Sequence, residues 1–344
     1  MNLKYIYRLS GVALLSVFAW ACADDKYEVP TPKRAFQDDC LKRSVGPNIV
    51  NDTMMFAYAM ALPADMGKIV SAQVEASIPG ATNPNPRIAT YLDHRAYSTD
   101  GGGNDKPVQI GNPSITDGGV TKVTFTRDTF AVTLRYFYKI PQAARGQQVN
   151  FTFSALDSNG ETVSMNMGPY QISSMDKVLN LTVADNAAMY ISIADMAIYT
   201  AAQAAANPDK IDLVYLYRAL VSQPPPAPVR TFGHALVAPA NDPSNLPGVT
   251  LPAGVNKNTK LVKTLNLRDH NLNPANQFGE TFIDDVDFKN VDMSTANNFA
   301  INLKADYGTW VETQDGKFRA FILILSVDNT AKNMKIGIKR LQMF

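Results

Sequence analysis

The sequence predicts a mainly β protein, with an N-terminal Ig-like β-sandwich followed by a second β-rich domain with short helices. Short runs of alternating apolar and polar residues, or of β-branched and aromatic residues, are typical of strands. Turn residues separate these runs, and Asn159-Gly160 and Asp315-Gly316 are strong hairpin signals. The chain has no repeat at a fixed period, which argues against a solenoid or a propeller.

The segment 44–175 is predicted to form the sandwich. Its strand-like runs are residues 68–78, 120–126, 130–140, 149–155 and 161–167. Several short strands with turn residues between them favour a sandwich. The Cys–Trp–Cys signature of antibody domains is absent, so "Ig-like" describes the architecture only. Segments 79–87 and 98–107 are rich in Gly, Pro and Asn and predict surface loops.

The segment 176–344 is predicted to form the second domain, with the boundary within residues 173–179. Thr200 is placed to cap a short alanine-rich helix at 200–206. The prolines at 224–228 predict an extended surface loop. The predicted strands are residues 190–193, 197–199, 211–217, 232–237, 261–267, 299–303, 309–313, 318–327 and 334–341.

The N-terminus has the layout of a secretory signal peptide at residues 1–21. Lys4 and Arg8 precede an uncharged, mostly apolar run at 9–20, and Ala21 is a small residue at the cleavage position. The run is shorter than the roughly 20 residues that a membrane-spanning helix needs. We therefore expect this segment to direct export.

Cys22 stands directly after this segment, where bacterial lipoproteins carry their acylated cysteine. The segment resembles a lipobox but has Ala19 where Leu is usual, followed by the bulky Trp20. We expect Cys22 to be lipidated and residues 22–43 to form a polar tether on the lipid anchor. The alternative is an ordinary secretory cleavage that releases a soluble protein and permits a Cys22–Cys40 disulfide.

The acidic residues Asp24 and Asp25 resemble the surface-export signal of Bacteroidetes-type lipoproteins, so we expect an outer membrane anchor that faces the cell exterior. Longer stretches are CLKRSVGPNIV, MMFAYAMALP, TLRYFYKIP, NMGPYQIS, IDLVYLY, FGHALVAP, LPGVTLPAGVNKNTK and FAINLKADYGTWVET. Together they resemble an uncharacterised two-domain family of Bacteroidetes-type surface lipoproteins, of unknown function. The resemblance spans the mature chain and implies an Ig-like domain and a β-rich domain. It implies no catalytic or ligand-binding residue.

Composition and motifs narrow the function classes. The net charge is +1 without a basic stretch, so nucleic acid is not an expected partner. The sequence has no GxSxG motif and no Cys/His arrangement for a thiol enzyme. His94, His234 and His270 lack the spacing of a metal site, so we expect no metal, no haem and no other cofactor.

Two residue groups remain as candidate sites. Trp310, with Tyr307 nearby, is a candidate ligand-binding pair because aromatic faces stack on sugars; strand packing is the alternative. The cluster Asp284, Asp285 and Asp287 is predicted to cap a short helix. The alternative is a catalytic pair for glycan hydrolysis, which needs two carboxylates about 5–10 Å apart in a cleft.

The sequence thus predicts a non-enzymatic cell-surface lipoprotein that binds a glycan, a matrix component or a partner outer-membrane protein. The membrane is a partner through the lipid anchor, and a polysaccharide or a protein is the expected ligand. One alternative is a structural or accessory subunit of a surface fibre (pilus). The other is a glycan hydrolase that uses the Asp284, Asp285 and Asp287 cluster. The sequence does not indicate the oligomeric state.

Overall fold

The structure, a computed structural model, describes residues 34–85, 88–218, 232–274 and 281–344. The chain divides into residues 1–35 and one compact unit, residues 36–344. The predicted signal peptide, Cys22 and the loop at 224–228 lie outside the described residues. The prediction of a mainly β fold with a sandwich followed by a second β-rich domain is confirmed.

The N-terminal half is a two-sheet antiparallel sandwich. Its strands are β1 (Gln37–Lys42), β2 (Thr53–Ala61), β3 (Ile69–Ala76), β4 (Tyr91–Leu92), β5 (Arg95–Thr99), β6 (Asp105–Gln109), β7 (Ile115–Asp117), β8 (Val120–Thr124), β9 (Ala131–Lys139), β10 (Gln148–Asp157) and β11 (Thr162–Gln171). The first sheet has the order β1-β2-β9-β4, and the second has the order β11-β10-β3-β8-β7. Strands β5 and β6 form a separate hairpin.

Alternation along the strands builds the core between the two sheets. On β2, Phe56 and Tyr58 point inward with Met54 and Met60, while the residues between them face outward. Phe153 of β10 meets these rings from the second sheet, with centroids 5.4 Å from Phe56 and 5.2 Å from Tyr58. Burial of each such aromatic side chain stabilises the fold by about 1.5–3 kcal/mol. This core gives the outward face of the first sheet a rigid support.

The sequence predicted no strand at several positions, namely β1, β2, β4, β5, β6, β7 and Asp176–Ala184, the first strand of the other half. At two of these places it predicted something else. Strand β1 lies inside the segment 22–43 predicted as tether, and it pairs with β2 from Gln37↔Ala61 to Lys42↔Phe56. The segment 98–107, predicted as a loop, instead contributes to the β5–β6 hairpin, with only residues 100–104 between the two strands. In both places local composition gave no alternation. Strand β1 pairs with β2, whereas β5 and β6 pair with each other across a short turn.

The C-terminal half contains a second pair of antiparallel sheets. Its strands are β12 (Asp176–Ala184), β13 (Tyr190–Ser192), β14 (Ala197–Tyr199), β15 (Leu213–Arg218), β16 (Gly233–Val237), β17 (Lys260–Leu265), β18 (Phe299–Leu303), β19 (Tyr307–Glu312), β20 (Phe318–Asp328) and β21 (Asn333–Gln342). The third sheet has the order β12-β21-β20-β19-β17, and the fourth has the order β14-β13-β15-β16-β18. Apolar residues of both sheets, such as Ile322 and Leu213, share one core.

Both sheets of this half are also covered on their outer faces. Helix α1 (Ala201–Ala206) and the segment 243–255 cover the fourth sheet, with Ala204 and Leu246 buried against it. Helix α2 (Asp285–Asn290) and its flanking segments cover the third sheet. The prediction for α1 is confirmed, because the Thr200 side chain accepts a hydrogen bond from the Gln203 backbone N–H in a capping box.

Ion pairs and hydrogen bonds join the two halves. Asp176 of β12 accepts hydrogen bonds from Arg145, which follows β9, and from Arg340 of β21, the latter at 2.5 Å. The Lys177 ammonium pairs with the Asp52 carboxylate at 2.6 Å. These contacts explain why residues 36–344 form one compact unit.

Candidate functional site

A groove of about 600 Å³ lies between the outward face of the first sheet and the β5–β6 hairpin. This volume is within the range of about 300–1,000 Å³ that is typical of small-ligand sites. Strands β1, β2 and β9 supply its base, and the hairpin supplies one wall. The lining residues include Gln37, Asp39, Ala59, Ala61, Ala131, Thr133, Ala96, Tyr97, Ser98 and Val108.

The base of the groove is flat because its outward side chains are small. The register pairs Ala59 with Thr133 and Ala61 with Ala131 across β2 and β9. These residues alternate with the buried residues of the same strands, so they share the outward face. Alanine and threonine leave open space above the sheet that larger residues would fill.

Tyr97 forms the aromatic part of the wall, and other side chains fix its position. Its hydroxyl donates a hydrogen bond to Asp93 Oδ2 at 2.6 Å. The Arg135 guanidinium lies 3.8 Å from the centre of the Tyr97 ring, a close cation–π contact. Burial, together with the hydrogen bond to Asp93, raises the pKa of Tyr97 to about 12, so the phenol is neutral at physiological pH.

Asp93 is the centre of this arrangement. Its buried carboxylate also accepts hydrogen bonds from Arg95 Nε at 2.9 Å and Arg95 Nη2 at 2.7 Å. Burial alone would raise the pKa of Asp93, but the hydrogen bonds from Arg95 and Tyr97 outweigh burial and lower it. Asp93 is therefore a carboxylate that orients two side chains at the root of the hairpin.

A second ion pair ties the far end of the hairpin to the sheet. Arg135, on the outward face of β9, donates a hydrogen bond from Nη2 to Asp105 of β6 at 2.6 Å. Arg135 thus contacts both strands of the hairpin, through Tyr97 and through Asp105. The wall of the groove is consequently held in place before any ligand arrives.

The opposite rim is polar. Gln37 and Asp39 are exposed on β1, and Asp39 lies across from Ala59 in the register. Their side chains offer an amide and a carboxylate to hydroxyl groups of a ligand. An aromatic wall, a flat base and a polar rim suit a ligand with one apolar face and many hydroxyl groups.

The structure places Trp310 away from this groove. It is buried on β19, with Phe288 of α2 at 5.2 Å and Phe321 of β20 at 5.0 Å between ring centroids. Trp310 therefore packs as a core residue, as the strand-packing alternative has it, and its ring does not face solvent. Tyr307 is half-buried at the start of β19, with Lys263 Nζ 6.0 Å from its ring centre. A ligand contact at Tyr307 stays a prediction.

The aspartate cluster caps helix α2, as predicted. Asp284 Oδ1 accepts hydrogen bonds from the backbone N–H groups of Val286 at 2.8 Å and Asp287 at 3.2 Å. Asp287 Oδ2 in turn accepts from the Asp284 N–H at 2.9 Å, which completes a capping box. Asp285 accepts a hydrogen bond from the Ser173 hydroxyl at 2.5 Å. Each carboxylate thus has a structural partner.

The three histidines lie apart from one another. His94 lines a second cavity of about 590 Å³ with Tyr91 and Arg95. His234 is buried on β16; its Nδ1 lies 2.7 Å from the Tyr215 hydroxyl, and burial lowers its pKa. His270 packs edge-on against Phe282. Among the described residues, no group of three His, Cys, Asp or Glu side chains is arranged to hold a metal ion.

Of the two cysteines, Cys40 lies within the described residues and Cys22 lies outside them. Cys40 is a free cysteine on β1, and burial, with the nearby Asp39 and Asp38 carboxylates, raises its pKa to about 12. The thiol is therefore poorly suited to act as a nucleophile. The lipidation site predicted at Cys22 lies outside the described residues and stays a prediction. Within the described ranges, no helix has the length and apolar character to cross a membrane.

The sequence did not single out Tyr97. The stretch YLDHRAYST drew attention only through His94, and the following residues were predicted as a loop. The usable signal is the spacing of Asp93, Arg95 and Tyr97. Arg95 and Tyr97 follow Asp93 by two and four residues, and both side chains donate hydrogen bonds to its carboxylate. Arg135, the fourth member, is remote in sequence and comes close only through the strand pairing of β4 with β9.

Comparison with known proteins identifies related families. Residues 33–172 match a domain of unknown function (DUF4466), and residues 173–343 match another (DUF8576). A crystal structure of a DUF4466 family protein from Parabacteroides merdae is 40% identical, with a TM-score of 0.81. That match covers 91% of this chain and 100% of the other. No functionally curated protein is significantly similar to the chain.

Two further structures match only weakly. The fimbrial subunit MyfA from Yersinia enterocolitica, solved with galactose, is 10% identical over 40% of this chain and 98% of that chain, with a TM-score of 0.22. The pilin BcpA from Bacillus cereus is 7% identical over 87% of this chain and 63% of that chain, with a TM-score of 0.27. Likenesses at these scores carry no argument about fold or function. The match to the Parabacteroides merdae protein, at 40% identity over 91% of this chain, shows the family. The chain belongs to the DUF4466 family, an uncharacterised two-domain family of Bacteroidetes type.

Proposed function

We propose that the protein is a non-enzymatic surface lipoprotein that binds a glycan in the groove between the first sheet and the β5–β6 hairpin. The observation that carries this proposal is the fixed position of Tyr97. Its hydroxyl is bonded to the buried Asp93, and one face of its ring rests on Arg135. Tyr97 lines the groove and is held in place by these contacts in the free protein.

The chemistry of the groove favours a neutral glycan. Sugar rings carry C–H groups on one face, which pack on an aromatic ring, and hydroxyl groups at their edges. Tyr97 supplies the ring, and Gln37, Ser98 and Thr133 supply uncharged hydrogen-bonding groups. The exposed Asp39 carboxylate accepts from hydroxyl groups and disfavours acidic sugars, because like charges repel.

The hairpin network supports affinity as well as geometry. Ordering a mobile side chain at an interface costs about 0.5–1.5 kcal/mol, which a preorganised residue avoids. Three contacts fix the wall in the free protein. The Tyr97 hydroxyl bonds to Asp93, and Arg135 contacts both the Tyr97 ring and Asp105.

The proposal includes the cellular location of the protein. Lipidation at Cys22 would anchor the chain to the outer membrane, with the binding domain facing the cell exterior. The chain enters the first sheet at β1, and β1 also forms the polar rim of the groove. A glycan of the cell surface or of the surroundings is then the ligand class within reach.

The test is a glycan array probed with the purified protein, followed by titration calorimetry on the best neutral glycan. We expect Tyr97→Ala to weaken binding by about tenfold or more, equivalent to about 1.4 kcal/mol. Tyr97→Phe keeps the ring but loses the bond to Asp93, so we expect a smaller loss. Tyr307→Ala is the matched control, because it removes a half-buried tyrosine from the other half.

Two outcomes would contradict the proposed site. Undiminished binding by Tyr97→Ala would remove the groove as the site. Loss of binding in Tyr307→Ala alone would move the site to β19, where the sequence first suggested it. The fibre-subunit and hydrolase alternatives stay predictions.

A further inference from the structure

A buried amine lies on the outer face of the third sheet, in the half that the proposed glycan groove does not touch. Lys339 of β21 and Asp269 are both fully buried and form an ion pair. Lys339 Nζ also donates to Asn271 Oδ1 at 2.9 Å and to the Ile283 carbonyl oxygen at 2.8 Å. The Asp269 carboxylate and the Asn271 carboxamide therefore both contact the amine nitrogen of Lys339.

The local backbone holds the three groups together. Asp269 Oδ1 accepts a hydrogen bond from the Asn271 N–H at 2.8 Å, which fixes the turn that carries both residues. Gly337 lies two residues before Lys339 on the same face of β21. A Cβ atom there would lie 3.3 Å from Leu272 Cβ, so glycine lets the turn approach the strand closely. The carboxamide is thereby held against the end of the lysine side chain.

The surroundings of Lys339 are apolar. Leu272, Ile283 and Leu341 are buried in the same apolar cluster. Removing a charge from water is expensive, so an apolar site disfavours the ammonium form of a lysine. Burial lowers the pKa of Lys339, and the Asp269 charge only partly opposes this effect. A neutral amine is a nucleophile, whereas an ammonium ion is not.

We infer that Lys339 and Asn271 form an intramolecular isopeptide bond, with Asp269 as the acid and base. Transfer of a proton from the Lys339 ammonium to its ion-pair partner Asp269 frees the Nζ lone pair, which attacks Asn271 Cγ. Asp269 then gives a proton to the leaving Nδ2 and takes one from Nζ. The Nζ–Cγ bond forms, the Cγ–Nδ2 bond breaks and one ammonia leaves, so no oxidant or other co-reactant is needed.

The fixed geometry makes such a step feasible without an external enzyme. Holding two reacting groups in contact replaces a bimolecular encounter and raises the effective concentration by orders of magnitude. The product would join β21 to the turn at 269–271 across 68 residues of chain. Such a cross-link restricts the unfolded chain and thereby raises the melting temperature.

The test is mass spectrometry of the purified full-length protein. We expect a mass lower than the sequence mass by one ammonia, and a branched peptide that joins the segments around Asn271 and Lys339 after proteolysis. Asn271→Ala and Asp269→Ala should each abolish the ammonia loss and the branched peptide. Processing of the N-terminus changes the mass of the wild type and of these variants equally. Comparing proteins expressed in the same way therefore removes its effect on the measured mass difference.

The control is Lys257→Ala, because Lys257 Nζ also pairs with a buried carboxylate, Asp212, at 3.0 Å. This variant should keep the ammonia loss, and circular dichroism should show that Asn271→Ala is still folded. An unbranched peptide map in the folded wild type would overturn the inference. Loss of one water would overturn it too, because it would place the bond between Lys339 and Asp269. Retention of the bond in Asp269→Ala would refute the role of that carboxyl.

Discussion

Asp176 links the two halves of the protein, and its replacement by asparagine should lower stability measurably. The carboxylate accepts hydrogen bonds from Arg145 and Arg340 and is about three-quarters buried, with 25% of its side chain exposed. Hydrogen bonds to charged groups contribute about 1.5–3 kcal/mol each. Partial exposure reduces this contribution, so we expect Asp176→Asn to lower the free energy of unfolding by about 2–3 kcal/mol.

The pH dependence gives this prediction its direction. Burial would raise the pKa of Asp176, but the hydrogen bonds and charges of Arg340 and Arg145 outweigh burial and lower it. A carboxyl whose folded pKa is lowered stabilises the protein above its unfolded pKa, about 3.9, and this stabilisation is lost as pH falls through the folded value. The difference between wild type and Asp176→Asn should therefore shrink in acid.

The assay is urea unfolding of both proteins at neutral pH and at several acidic values. Asp128→Asn is the matched control, because Asp128 and its partner Lys68 are both exposed. The exposed fraction is 67% for the Asp128 side chain and 48% for the Lys68 side chain. Exposed pairs contribute about 0–1 kcal/mol, so the control should unfold almost as the wild type does. Equal stability of Asp176→Asn and wild type at neutral pH would refute the reasoning, as would a difference that is unchanged in acid.

Three further predictions follow from the other sites. Asp284→Ala should lower the free energy of unfolding by about 0.5–2 kcal/mol through loss of the α2 cap, measured by melting; lost glycan hydrolysis with unchanged melting would instead favour an enzyme. Cys22→Ser should move the protein from the membrane fraction to the soluble fraction, and an unmodified native peptide that begins at Cys22 would contradict lipidation. Haem titration should give no sharp Soret shift at one equivalent; a shift abolished by His94→Ala, His234→Ala or His270→Ala would reverse that expectation.

Local patterns predict many of the strands that fill the cores, although β2, which carries the buried Phe56 and Tyr58, is not among them. They also fail at β1, which depends on a remote partner. The run at 149–155 and its Asn-Gly turn predict β10 and the start of β11, and the register continues across that turn. Strand β1 has no comparable pattern, since QDDCLK is mostly polar. Its inward Asp38 instead accepts a hydrogen bond from the buried Tyr58 hydroxyl at 2.9 Å, a contact that only the pairing of β1 with β2 creates.

The candidate site shows the same limit. Asp93, Arg95 and Tyr97 are close in sequence, but their spacing alone does not distinguish a surface strand from a loop. Arg135 completes the site from β9, because Tyr91 pairs with Phe137 and thereby sets the hairpin beside Arg135. A groove assembled across such a register can be recognised only after the pairing is known.

The segment that covers the third sheet explains both the placement of Trp310 and the burial of Lys339. Alternation along β19 and β21 is compatible with one face in the core and one in water, which would expose both residues. Phe288 of α2 and Leu272 of the preceding turn instead pack on that outer face, so it becomes a second apolar layer. The same layer buries both the Trp310 ring and the Lys339 amine. A lysine on the outer face of a sheet, which solvent would normally keep protonated, is in this way brought against a carboxamide under conditions where it can react.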